Sequence, residues 1–378
     1  MTVAGSGVAK AKDVVWFPAS PLEGWASMDR YWRELSVLAG QHSSDELHFH
    51  CAYPHSPPEV SARSVSKRKR FLEKFFFYPW RARFQSGQLA HILDHSYAHL
   101  LPCIPSKMRK VVTVFDLVPL EDPGNLKPSQ VARFRRAVSH LRSADHLISI
   151  SEETKRKLGT LLGIPADRVT VAVPGMDFDL FQKPVFKDQR IMKKLAQLPP
   201  VIFSVGSAAP RKNLASLPAI FREMRGMFDL KQCCFVRAGE YVSDALKRDI
   251  VEVTGEQGFV ELGPIFGDDL IAAFQSARVL IFPSTLEGLT FVIPEAMAAG
   301  CPVVTNTSTA NPEAGGDAAL YYQEGDAVMA ARQLSSLVMD DAVHVECRVR
   351  GIERARQMTW AHHFETVMRV YREQLKLV

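Results

Sequence analysis

Long apolar runs are missing from this chain. No stretch approaches the roughly 20 consecutive apolar residues that cross a bilayer. Lys10 and Lys12 are followed only by the short apolar run Val14-Val15-Trp16-Phe17, too little for a signal-peptide core, so a cytoplasmic protein is expected. Cysteine is scarce and unpatterned. Cys51, Cys103, Cys233, Cys234, Cys301 and Cys347 show no CxxC spacing, which argues against a disulfide framework and points to reduced, mostly structural thiols. No metal-site motif is found, so no metal ligands are assigned, and there is no GxGxxG dinucleotide fingerprint. Charge of one sign does not dominate either. The net charge is +5, with 24 basic against 18 acidic residues in 1–180 and 22 against 23 in the remainder. That asymmetry suits an anionic surface or acceptor on the N-terminal half, and not a nucleic-acid binder as a whole.

What is present is an ordinary globular composition, 47% hydrophobic and 23% charged, over 378 residues, enough for two domains. Residues 13–17 read as a first strand. The loop that follows contains Gly24 and Trp25. Ser27 or Asp29 is placed to open a helix carrying Tyr31, Trp32, Leu35 and Leu38, with Gly40 to close it. Gly24 admits a close backbone approach to a ligand, or is part of an ordinary connection. Further strands are expected at 90–93, 111–115, 146–150 and 169–173. Ser151 caps a helix over 152–162, and residues 133–141 form a basic helix. His95, Tyr97, His99 and Asp116 follow strand ends at the sheet edge where open α/β folds put ligands.

Residues 63–83 stand apart. Lys67, Arg68, Lys69 and Arg70 precede Phe71, Phe75, Phe76, Phe77, Tyr78 and Trp80. The mixture fits an anionic membrane or lipid-acceptor surface first, a packed aromatic cluster with a basic rim second, and single-stranded nucleic acid last.

Residues 182–199 are polar, proline-flanked and without a clear period, as in an interdomain linker. A second αβ series follows, with strands at 201–205, 233–236 and 259–262 and helices from Leu214 and over 268–275. The loop after its first strand, residues 206–213, carries Arg211 and Lys212, two adjacent cations placed to neutralise a diphosphate. Residues 279–305 then read as strand, loop, helix and strand, the unit of a parallel sheet. Thr290 is placed to cap that helix and Gly300 to stop it. Glu287 and Glu295 stand eight positions apart across the helix start. Taken alone, the pair fits a solvated loop residue and a carboxylate answering the helix dipole. A closing amphipathic helix covers 360–375.

Several of these segments are similar to one family. The loop Gly206 to Pro210-Arg211-Lys212-Asn213 and the run Glu287-Gly288 through Glu295-Ala296-Met297-Ala298-Ala299-Gly300 resemble the retaining GT-B glycosyltransferases of family 4. Ser149-Ile150-Ser151, Val173-Pro174-Gly175-Met176-Asp177 and Thr359-Trp360 are similar to the same family, and the resemblance covers about residues 88–378. It implies an α/β architecture of two Rossmann-like domains facing a cleft. The divisions are 1–182 for an N-terminal acceptor domain, 183–358 for a nucleotide-sugar domain, and 359–378 for a C-terminal helix crossing back to the N-terminal domain. Arg211 and Lys212 would hold the donor diphosphate, joined by backbone N–H groups of Leu289, Thr290 and Phe291 and by the Gly206, Ser207 and Gly288 loops. Glu287 would face the transferred sugar, Glu295 the ribose, and Gly24 the donor phosphate. Trp25, His95, Tyr97 and Asp116 are the acceptor-side candidates.

Three departures stand out from the family pattern. Ser207 replaces a common arginine, Phe115 a common histidine, and Thr290-Phe291-Val292 the usual Gly-Leu-Pro. The implied activity is metal-independent, cofactor-free, retaining transfer of a hexose to a hydroxyl by front-face displacement. The expected donor is GDP-mannose, with UDP-glucose or another UDP-sugar as the alternative. The expected acceptor is a lipid-linked or envelope saccharide, as in polysaccharide or lipopolysaccharide synthesis, reached from the inner face of the membrane. A nucleotide-sugar epimerase, a phosphorylase on the same fold and a non-catalytic nucleotide-sugar-binding module are the other classes open.

Overall fold

The computed structural model describes residues 11–42, 46–52, 66–124, 126–184 and 190–377. They fall into two compact units: Met1–Pro174 with Trp360–Val378, and Gly175–Thr359. The second unit therefore begins earlier than the polar stretch at 182–199 suggested.

In the first unit six parallel strands make one sheet: β1 (Lys12–Phe17), β2 (Leu47–Cys51), β3 (Leu89–Ile92), β4 (Arg109–Val114), β5 (His146–Ser149) and β6 (Val169–Val171). Their order is β2-β1-β3-β4-β5-β6. The central strands are buried on both faces, as all-parallel strands covered by helices must be. Around them lie α1 (Ala26–Gln41), α2 (Lys67–Leu72), α3 (Tyr78–Ala82), α4 (Val118–Glu121), α5 (Pro128–Ser139) and α6 (Glu152–Leu162). A single wide turn, Glu73–Phe77, joins α2 to α3. Ser151 caps α6 as expected, its Oγ accepting from Thr154 N at 3.0 Å. Neither Ser27 nor Asp29 opens α1. Trp25 stands at its N-cap without a side-chain bond, and the helix runs through Gly40 to Gln41.

The second unit holds another six-stranded parallel sheet: β7 (Val201–Gly206), β8 (Cys234–Gly239), β9 (Phe259–Gly263), β10 (Val279–Phe282), β11 (Val303–Asn306) and β12 (Leu320–Tyr322). Its order is β12-β11-β10-β7-β8-β9. The helices are α7 (Phe178–Gln182), α8 (Arg190–Leu195), α9 (Leu217–Arg225), α10 (Asp244–Thr254), α11 (Asp268–Ser276) and α12 (Val292–Ala298). They continue with α13 (Asn311–Gly315), α14 (Ala327–Met339) and α15 (Asp341–Gln357). The polar stretch 182–199 contains α8, because Ile191 and Leu195 at i,i+4 spacing both reach the interior. Phe181 of α7 is likewise buried, its ring 6.3 Å from that of Phe274, which ties α7 to this unit.

The last helix, α16 (Trp360–Leu375), belongs to the first unit. Trp16 Nε1 donates to Tyr371 Oη at 2.9 Å, and Tyr371 Oη lies 2.5 Å from His91 Nδ1. All six cysteines are free thiols, and burial pushes Cys234 up to about 11 and Cys233 up to about 12, so both stay protonated and inert at neutral pH. No helix among the described residues is long and apolar enough to cross a membrane.

Candidate active site

In the second sheet the chain leaves β7 toward β8 and β9, then returns to the other flank of β7 as β10. The switch point lies between β7 and β10. Open α/β sheets bind ligands off the carboxyl ends of strands at such a point. The two loops that leave those ends are the ones carrying Arg211 with Lys212, and Glu287.

Local backbone chemistry aims them. β7 stops at Gly206, whose φ of +132° suits glycine, and β8 stops at Gly239, with φ of +103°. A Cβ on Gly239 would lie 2.0 Å from the Gly206 carbonyl oxygen, so the two strand ends approach as only glycine allows. Pro210–Lys212 then makes one tight turn, ended by Asn213 in the left-handed region at φ +52°. Asparagine tolerates that conformation better than most residues. After β10, Thr285 N donates to the Arg211 carbonyl at 2.9 Å, which stitches the two loops together.

The side chains converge on Glu287. Arg211 Nη1 donates to Glu287 Oε2 at 3.0 Å and to the Leu286 carbonyl at 3.1 Å. Lys212 Nζ donates to the other carboxylate oxygen, Oε1, which also accepts from Ser284 Oγ at 2.6 Å. Lys212 Nζ lies 5.1 Å from the centre of the Phe282 ring. Burial holds the Lys212 ammonium below the usual lysine range. Glu287 draws it back up, while Arg211 and Arg237 oppose its charge. Two cations thus share one carboxylate. The cluster retains a net positive charge that an anionic ligand would satisfy.

Three parts of this site carry no signal in the sequence. Arg237, in the middle of the apolar strand β8, is 2% exposed. Its Nη2 donates to the carbonyls of Gly206 at 2.6 Å and Ser207 at 3.0 Å, and its Nη1 donates to that of Ala238. A β-bulge against β9 falls between Arg237 and Ala238, where bulges re-aim a side chain. Burial lowers Arg237 to about 10, so it is still a cation at neutral pH and fixes the Gly206-Ser207 loop by charge-assisted bonds. Thr309 is the second. Its Oγ1 accepts from Glu287 N at 3.1 Å, from a backbone at φ +49° that a β-branched residue rarely adopts. The third is a buried amide pair: Asn306 donates to the Pro283 carbonyl at 2.8 Å and Asn311 to that of Ser284 at 2.9 Å.

Glu295 sits in the first turn of α12, buried, its N–H bonded to the Phe291 carbonyl at 2.9 Å. Thr290 does not cap α12 as a helix cap would. Phe291 occupies that place, and Thr290 Oγ1 accepts from Val292 N at 3.2 Å. Gly288 and Leu289 lie in the same buried loop. Ser207 contributes its carbonyl to Arg237.

Residues 199–340, which hold all of these groups, match the family described as "Glycosyl transferases group 1". The chain is also 23% identical over 295 residues to the O-antigen chain mannosyltransferase B of Escherichia coli, covering 77% of each protein. The chain is a glycosyltransferase, similar to those of family 4. The glycosyltransferase is 23% identical over 283 residues to the serotype-specific mannosyltransferase WbdA of Escherichia coli, a match covering 71% of this chain and 34% of that longer relative. Among solved structures it is similar to sucrose-phosphate synthase from Thermosynechococcus elongatus, with a TM-score of 0.69, 18% identity, and 97% and 100% of the two chains covered. The HepE protein of Anabaena, solved with UDP and glucose, gives a TM-score of 0.67 at 15% identity, covering 96% and 100%. Those likenesses establish the fold, which is GT-B.

The glycosyltransferase keeps its other candidates in the first unit. Gly24 has a left-handed backbone, φ 68° and ψ 34°, at the end of the turn Pro21–Glu23, so the loop needs glycine there. Trp25 is exposed beside it. Tyr97 is fully buried. Its hydroxyl accepts from Ser20 N at 3.1 Å and donates to Glu23 at 3.3 Å, so it braces the loop from beneath and presents nothing to a ligand. His95 Nδ1 accepts from Phe115 N at 3.3 Å. Phe115 packs edge-on against Tyr31 with ring centres 5.0 Å apart. Asp116 turns back to accept from Val118 N at 3.0 Å. Among the described residues no group of three or more His, Cys, Asp or Glu side chains is arranged to hold a metal ion.

Proposed function

We propose that the enzyme moves a hexose, mannose from GDP-mannose, onto a hydroxyl of a lipid-linked or envelope saccharide with retention of the anomeric configuration. The observation that carries this reading is the convergence of Arg211 and Lys212 on Glu287 at the switch point of the second sheet. When the donor enters, its diphosphate takes over the two cations. Glu287 is then released to accept hydrogen bonds from the transferred sugar, and Glu295 from the ribose. The C1–O bond to the diphosphate breaks and the acceptor oxygen bonds C1 on the same face. The acceptor proton passes to the departing phosphate oxygen, so no covalent enzyme intermediate is formed. Arg211 and Lys212 stabilise the charge that collects on the leaving group. Transfer is expected to persist in EDTA.

Mannose is favoured because two of the relatives described above are mannosyltransferases by name. An acceptor at a membrane surface is supported by the segment after residue 66. Phe76, Phe77, Trp80 and Phe84 are exposed on it beside Lys67, Arg68, Lys69, Arg70 and Arg83. Tyr78, by contrast, is fully buried, so the segment is part core and part apolar surface. Incubation with a panel of GDP- and UDP-sugars, following nucleotide release with and without a cell-envelope extract, tests the proposal. Release of GDP that depends on both GDP-mannose and the extract is expected. Acceptor-independent conversion of the donor would favour an epimerase, and binding without release a non-catalytic module.

A further inference from the structure

The first sheet has its own switch point, between β1 and β3, and a cavity of about 660 Å³ opens beside the loops that leave these strands. Glu23 and Trp25, after β1, line it on one side, Ser96, after β3, on another, and Pro119, after β4, on a third. Charge on its walls is one-sided: Lys67, Arg68, Arg70, Lys74 and Arg133 face a single carboxylate, Glu23. Glu23 is already engaged. Lys74 Nζ lies 3.3 Å from it, 3.2 Å from Ser96 Oγ, and 4.1 Å and 4.9 Å from the ring centres of Tyr97 and Trp25. Among the described residues Lys67, Arg68, Arg70 and Arg133 have no carboxylate within ion-pair distance. Arg133, from α5, is instead spread over Phe71 and Phe75, at 5.4 Å and 5.7 Å from their centres.

We propose that this cavity binds the phosphate or diphosphate that joins the acceptor saccharide to an apolar chain. Four cations with no carboxylate partner among the described residues call for more than one negative charge. The space is several times larger than an inorganic phosphate needs, and its aromatic walls offer faces for sugar rings or hydrocarbon. The same segment continues outward as the exposed rings Phe76, Phe77, Trp80 and Phe84, which gives the chain an apolar path away from the charged end. The inference rests on the acceptor half of the proposed function, and its residues are separate from the donor group Arg211, Lys212 and Glu287.

Calorimetric titration of the full chain tests it with three probes: geranylgeranyl diphosphate, the corresponding alcohol, and inorganic pyrophosphate. The prenyl diphosphate is expected to bind at least about tenfold tighter than either fragment. Arg70→Gln with Arg133→Gln should weaken it at least about tenfold. Arg83→Gln, an exposed cation nearby that does not line the cavity, should leave it unchanged. Equal binding by the double variant would overturn the inference. So would an equal loss in Arg83→Gln, which would mean diffuse surface charge, or displacement by GDP or UDP, which would place the ligand at the donor site. Binding of the prenyl diphosphate by a chain that takes no nucleotide sugar would keep the cavity assignment and remove the donor reading.

Discussion

Six side chains of the first unit form one buried hydrogen-bonded line, and its direction can be deduced. At one end His363 Nδ1 meets the Ala172 carbonyl at 3.1 Å, which only accepts, so the proton is on Nδ1. His363 Nε2 must then accept from Tyr31 Oη at 3.0 Å, and Tyr31 Oη from Thr113 Oγ1 at 3.2 Å. Thr113 Oγ1 accepts from His91 Nε2 at 2.8 Å, and His91 Nδ1 accepts from Tyr371 Oη at 2.5 Å. Trp16 Nε1, a donor only, closes the far end on Tyr371. Every group is satisfied with both imidazoles neutral, and one more proton leaves a donor facing a donor. Burial lowers His91 to about 3 and His363 to about 4. Both values lie below that of an unfolded histidine, near 6.5. The unfolded chain therefore binds more protons between pH 6.5 and about 4, and stability falls as pH falls through that window. From pH 7 to pH 5 the loss works out at about 2 kcal/mol per histidine. His91→Gln offers a donor and an acceptor without a titrating proton. Its unfolding free energy should drop about 2 kcal/mol less than the wild type's over the same pH change. Tryptophan fluorescence in urea reads this unit alone, because Trp16, Trp25, Trp32, Trp80 and Trp360 all belong to it. A variant that kept the wild-type pH difference would refute the neutral, one-directional line.

Other consequences concern the proposed donor site and the surface. Glu287→Gln removes the carboxylate that occupies both cations, so GDP should bind several-fold tighter by calorimetry while sugar transfer falls on the order of 100-fold; weaker GDP binding would count against the pairing as described. Arg237→Met strips donors from the Ser207 and Ala238 carbonyls. It should cost about 3 kcal/mol in thermal unfolding of the second unit and raise the KM for the donor; an unchanged melting curve would remove Arg237 as the brace of that loop. Neutralising Lys67, Arg68, Lys69 and Arg70 together should release the protein from vesicles containing phosphatidylglycerol. Undiminished vesicle binding would contradict a basic membrane-facing edge.

Much of the candidate site has a local signature in the chain, because its groups stand in short loops between patterned elements. Val279–Phe282, Glu152–Leu162 and Trp360–Leu375 coincide with their sequence-based expectations. Apolar periodicity and cap residues are local properties, and they persist when tertiary contacts form. The pairing of Lys212 with Glu287 was not visible, since it joins residues 75 positions apart through a crossover. Arg237 was hidden for the opposite reason: one cation in an apolar strand looks like an interruption until its carbonyl partners are known. Thr309 betrays its left-handed backbone by no residue preference. The helix Arg190–Leu195 was lost in a polar stretch because only two of its positions, Ile191 and Leu195, face inward. In the aromatic segment the composition left core and surface readings competing. The fold divides it between them, burying Tyr78 and exposing Phe76, Phe77, Trp80 and Phe84.

Arg211 and Lys212 are proposed to hold the donor diphosphate and to carry its developing charge. The most direct measurement is turnover of Lys212→Ala with the donor that the nucleotide-sugar panel identifies, in a variant shown by circular dichroism to be folded. A fall on the order of 100-fold or more is expected. Turnover close to that of the wild type would contradict the account.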